Sequence, residues 1–140
     1  MGHGGASAYV ALMGAWVLVA FTKTNDPFVQ LLSFSMTLVN MIGVAAGGLG
    51  DTDGARAAFA RAGELGLTDG WRNLAVSEKG EARITAYQRA LKLAPNDAAS
   101  HAGLAQALEN RHDVDAAKQH ANAALRIDPA NATARLTLAR

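Results

Sequence analysis

Any chemistry in this 140-residue chain must come from a short list of side chains. His112 and His120 lie eight positions apart, and His101 belongs to the preceding helical segment. The chain has no HxxxH, no HExxH and no cysteine. Built zinc sites draw on closely spaced imidazoles and thiolates, so none is expected here. The stretch "GGLGDTDG" at 47–54 looks like a phosphate or calcium loop only at a glance. It has no GK[ST], and no Glu follows Gly54 at the EF-hand spacing. It reads as a glycine-rich helix stop followed by an N-cap at Thr52 or Asp53. Glu78 and Glu81 sit beside Lys79 on a solvated turn, with no nucleophile or base to complete a pair. Removal of Met1 would destroy the copper-type spacing of His3, and Ala6 breaks the myristoylation pattern that begins at Gly2. Asn131-Ala132-Thr133 is a glycosylation sequon, relevant only in a eukaryotic secretory setting. The expectation is a protein with no catalytic residues, no cofactor and no metal, and therefore not an enzyme.

The elements that carry these residues divide sharply by charge. Residues 1–50 hold two charged side chains, Lys23 and Asp26, while 51–140 hold 12 basic and 11 acidic ones. The C-terminal part is thus charge-balanced and lacks the basic face that a phosphate backbone requires, which argues against nucleic acid. We expect two parts: 1–50, an apolar helical hairpin and membrane anchor, and 51–140, a solvated helical body.

Two uncharged runs, 1–22 and 28–50, flank the turn-forming "KTNDP". About 20 residues of helix cross a hydrocarbon layer of roughly 30 Å. The second run meets that length, and the apolar part of the first, "ASAYVALMGAWVLVAFT", lies near the lower limit. A cleavable signal peptide fits less well, because no Lys or Arg precedes the apolar core and no small-x-small site follows it. Within the second run Gln30, Ser33, Thr37, Asn40 and Gly47 recur at helical spacing. Gly43 and Gly47 also form a GxxxG. Such a stripe is expected to pack against another helix inside the membrane, where its polar groups find partners. The alternative is a helix pair buried in a soluble oligomer.

The C-terminal part is repetitive. "ALKLAPND" at 90–97 returns as "ALRIDPAN" at 124–131, and "AASHAGLAQ" at 98–106 as "ATARLTLAR" at 132–140, both after 34 residues. The best unit, 98–131, has Leu104, Ala105 and Leu108 on its first helix, Ala117, Ala121 and Ala124 on its second, then Pro129. The unit before it shows Trp71, Leu74, Ala75, Tyr87, Ala90 and Pro95. A further unit shows Ile42, Gly43, Ala55, Phe59 and Ala62. Tyr87 follows Phe59 by only 28 residues, six short of the period, so the helix around "GWRNLAVSEKG" must lose about a turn.

This pattern over residues 36–140 resembles the tetratricopeptide repeat family. The resemblance implies a short helical-repeat solenoid of about two and a half units, which with the apolar transmembrane helical hairpin expected at the N-terminus makes the fold all-α. It places Arg140 in the middle of a first helix. It also assigns His101 to the place of a large packing residue. Its implied function is a non-catalytic scaffold that holds a peptide or helix in a groove lined by Arg72, Val76, Ala99, Ala102, Gln106, Glu109 and Asn110. The Lys/Asn set with which one subfamily clamps chaperone C-terminal carboxylates is absent from these places. A shallow Ala-lined groove suits a packed helix better than a charged tail. The expected partners are other protein subunits of a membrane complex, membrane lipid and further copies of this chain. The architecture is reminiscent of bacterial anchored repeat proteins in cytochrome maturation, secretion or pilus assembly. The alternative reading is a self-assembling structural protein with the apolar helices at the core of an oligomer or filament.

Overall fold

The computed structural model describes residues 26–140. The first arm of the expected hairpin, within 1–22, lies outside them. The described residues form seven α-helices and no strand: α1 (Pro27–Gly48), α2 (Thr52–Glu64), α3 (Thr68–Ser77), α4 (Gly80–Leu93), α5 (Ala98–Asn110), α6 (Val114–Ile127) and α7 (Ala132–Ala139). The all-helical repeat expectation holds. The chain divides into two compact units at Gly70/Trp71, inside α3.

In the first unit, Asp26 has extended backbone and its carboxylate accepts from Phe28 N–H, with Pro27 at the first helical position. Both features favour a helix start at that point. α1 ends where Gly50, at φ +83°, takes a left-handed turn that side chains disfavour. The next cap is Asp51, which accepts from Gly54 N–H at 2.9 Å. The start thus comes one or two residues earlier than Thr52 or Asp53, because the Gly50 turn already frees Asp51 to fold back. α1 and α2 pack closely and antiparallel. A Cβ on Gly43 would lie 2.6 Å from the Phe59 ring, and one on Gly47 would lie 3.7 Å from Ala55 Cβ. Near the other end of α2, Met36 Cε lies 3.6 Å from the Cβ direction of Gly66. α2 buries Ala55, Phe59, Ala62 and Gly63, a 3/4 spacing that defines one helical face. The first turn of α3 meets α2 backbone to backbone, since a Cβ on Gly70 would stand 2.7 Å from Phe59 O and 2.9 Å from Ala62 C.

In the second unit α4, α5, α6 and α7 stack in order. Asp97, Asp113 and Asn131 each cap the following helix by accepting from the third amide beyond them. Each such cap is worth about 1 kcal/mol. One core cluster joins Ile84, Leu104, Ala107, Leu108 and Ala117. A second is built from Ala102, Ala105, Ala121, Ala124 and Ala134. In that second cluster, methyl groups let the three helices approach closely. α3 has 10 residues where α5 has 13, so the missing turn falls where the short period required it. Arg83 closes its C-terminus. The guanidinium donates from Nε to Ala75 O at 3.1 Å and to Glu78 O at 2.8 Å, and from Nη2 to Val76 O at 3.4 Å. A cation here satisfies end carbonyls and complements the helix dipole.

Candidate partner-binding face

The residues expected to line the groove separate into two sets. Ala99, Gln106 and Asn110 are exposed and recur at 3/4/7 spacing, so they share one face of α5. Gly103 lies in the middle of that face. A Cβ there would come 2.6 Å from Tyr87 Cε1 and 2.5 Å from its hydroxyl oxygen. The Tyr87 ring of α4 therefore crosses the face at the one position with no side chain. Burial raises the Tyr87 pKa, opposed by the nearby Arg83 and Arg72 guanidiniums. The phenol is neutral and ready to donate or accept.

Ala102 and Glu109 point elsewhere. Ala102 is buried in the alanine cluster with Ala121 and Ala134, out of reach of any ligand. Glu109 faces α7, where its Oε2 lies 3.6 Å from Arg140 Nη1. It lines a cavity of about 120 Å³ with Val114, Ala117, Lys118, Thr137 and Arg140. Both residues sit some 60–80° around α5 from the Ala99 face at about 100° per residue. Arg72 is tied to Asp97 at 3.4 Å, and Asp97 also accepts from Ser100. Val76 is 68% exposed. Arg89 lies 4.9 Å from the ring centroid of the buried Trp71, within cation–π range.

The histidines do more than fill space. His101 and His120 meet across α5 and α6, Nδ1 to Nδ1 at 2.9 Å, and His101 Nε2 contacts Pro95 O at 3.0 Å. A carbonyl only accepts, so neutral His101 carries its proton on Nε2 and accepts at Nδ1 from His120. Burial, then the neighbouring His101, push the His120 pKa below its ordinary value. His112 stands apart at the α5–α6 turn with φ +64°. Among the described residues no three His, Cys, Asp or Glu side chains converge as a metal site would require.

On α1 the polar stripe is placed as follows. Asn40 is fully buried and Gly43 is buried, Ser33 and Thr37 are half-buried, and Gly47 is exposed. Thr37 Oγ1 donates to Ser33 O at 2.9 Å. Gln30 lies one turn before Ser33, within α1. The partner that Gly43 approaches is α2.

Sequence reasoning missed Gly103 and Tyr87 as parts of the candidate face. The signal available was a glycine in mid-helix, which costs about 1 kcal/mol against alanine and so asks for a packing reason.

A tetratricopeptide-repeat family model matches residues 86–119, from the second half of α4 through α5 to the start of α6. No curated protein matches the chain in sequence. Among solved structures the chain is similar to one in the crystal structure of the APC/C hetero-tetramer Cut9–Hcn1, with TM-score 0.66 and 20% identity. The match covers 99% of this chain and 33% of that one, so this chain spans about a third of its neighbour's length. At that identity the likeness speaks for the fold. The chain carries a tetratricopeptide-repeat match over residues 86–119, within an all-helical fold of the kind seen in that neighbour.

Proposed function

We propose that the chain is a non-catalytic, membrane-anchored scaffold, an accessory or assembly subunit of a membrane protein complex. In this reading residues 1–50 hold the protein to the bilayer and 51–140 present the repeats. The observation that carries it is that, among the described residues, one helix, Pro27–Gly48, is long and apolar enough to cross a membrane and is joined without a spacer to a charge-balanced repeat body. The partner, a helix of another subunit, lies on Ala99, Gln106 and Asn110, with Tyr87 and Val76 as apolar contacts and Arg72 at the rim. Three features support this: a small-residue face, one phenol, and little charge to recruit an acidic or basic tail. Alkaline carbonate extraction of native membranes tests the anchor. The protein should stay in the pellet, and release into the supernatant refutes the reading. Capture from membranes in mild detergent, with Gln106→Arg as control, tests the face. A partner held equally by both forms is not bound there.

A second reading, a self-assembling protein with its apolar helices in an oligomer core, draws support from the exposed apolar side chains of α1. A detergent-free, extractable oligomer that dissociates on deletion of residues 1–27 would favour it.

A further inference from the structure

α1 is apolar on two opposite faces, and the described residues of its unit cover only one of them. Met36, Gly43 and Gly47 turn toward α2 and its C-terminal loop. Leu31, Phe34, Leu38 and Ile42 are 66%, 44%, 43% and 53% exposed. At about 100° per residue these four fall within one stripe, on the side away from Gly43. The stripe offers no unsatisfied donor, since Ser35 Oγ beside it bonds back to Leu31 O at 2.9 Å.

α2 runs antiparallel alongside the second half of α1, from Gly47 back to about Met36, and holds Arg56, Arg61 and Glu64 at exposed positions. If α1 stood upright through a bilayer, α2 would carry these charges to the depth of the hydrocarbon, where they are costly. If α1 lies flat, its stripe meets lipid and every charge on α2 stays in water. In sequence, the uncharged run of 6–22 ends only a few residues before Asp26, so an anchor in that run would tether the start of α1 close to the membrane surface. This rests on the membrane reading above. We infer that α1 is an in-plane helix that docks on the lipid surface through Leu31, Phe34, Leu38 and Ile42, with α2 on its aqueous side.

The test uses the full chain, which has no native cysteine to remove. Leu31→Cys, Leu38→Cys, Ile42→Cys and, on α2, Ala57→Cys are each labelled with an environment-sensitive fluorophore. Far-UV circular dichroism checks that helix content is unchanged. The proteins are reconstituted into phosphatidylcholine vesicles brominated either near the headgroup or near the bilayer centre. An in-plane α1 gives one shallow depth for positions 31, 38 and 42, about 5–10 Å below the headgroups. The label at 57 is then reached only by an aqueous quencher. An upright α1 separates 31 from 42 by roughly 16 Å at about 1.5 Å per residue, and that gradient overturns the proposal while leaving the anchor intact. Stripe labels shielded from both lipid and aqueous quenchers also overturn it, because the chain's own residues 6–22 or a second copy then cover the stripe. Failure of the protein to float with vesicles at all overturns the anchor reading as well.

Discussion

Gly70 and Gly103 offer a direct measure of how tightly the helices pack. Gly70→Ala places a methyl against Gly63 N, Phe59 O and Ala62 C, all backbone atoms of α2. Backbone in a packed helix cannot swing aside, so the cost belongs at the upper end of the 1–3 kcal/mol typical of overpacking. Alanine returns up to about 1 kcal/mol of helix propensity. The net expectation is a loss of about 2 kcal/mol, on the order of 5–10 °C in Tm. Gly103→Ala meets only the end of the Tyr87 ring, which is half-buried and can rotate away. There the overpacking cost falls to about 1 kcal/mol and roughly cancels the propensity gain. In a Tyr87→Ala background the obstruction is gone, and Gly103→Ala should stabilise by up to about 1 kcal/mol. Gly48, with nothing within 4 Å of its Cβ direction, is the control and should be neutral or stabilised. Urea unfolding followed by far-UV circular dichroism reads all four. A Gly70→Ala protein as stable as wild type would refute the close contact of Gly70 with α2. A Gly103→Ala effect unchanged by Tyr87→Ala would refute the ring contact.

Arg83→Met should cost about 1–2 kcal/mol, since it removes the donor that satisfies two end carbonyls of α3 and that of Glu78 just beyond it; amide exchange should quicken at Ser77–Lys79 before it does in α5. Asp97→Ala removes the α5 cap and the partner of Arg72 and Ser100, for a loss of about 1–2 kcal/mol in urea unfolding. The folded-state pKa of His120 lies below its ordinary value of 6.5, so the unfolded chain binds the extra proton first. Its contribution is therefore fully present above pH 6.5 and is lost as pH falls from there through the folded value. The stability of wild type should decline between pH 7 and 5 more steeply than that of His120→Gln. Parallel profiles would mean the imidazole pair is not buried as described.

The 34-residue echo made α5 and α6 legible, because Leu104 and Ala105 return as Leu138 and Ala139 and Ala90 returns as Ala124. The six-residue deficit before Tyr87 located the short α3 from counting alone. What closes that helix was not legible, since Arg83 acts through backbone carbonyls and leaves no side-chain partner in the pattern. Groove residues were harder for a geometric reason. Ala99 and Ala102 are the same residue type, and only the helical phase, set by the packing of α6 and α7, sends one to solvent and the other to the core. The His101–His120 contact spans 19 positions with no motif, so no linear spacing announces it. On α1, apolar composition gave the length but not which side α2 would cover.

The alanine seam of Ala102, Ala105, Ala121, Ala124 and Ala134 has a thermal consequence. Heat capacity of unfolding scales with the apolar area exposed, about 12–15 cal/mol/K per residue for ordinary domains. A seam of single methyl groups hides little such area per residue, so unit 71–140 should fall at or below the low end of that range. Its stability curve is then broad and shallow, with heat and cold unfolding far apart. The repeats hold a modest but nearly constant margin across a wide span of temperature.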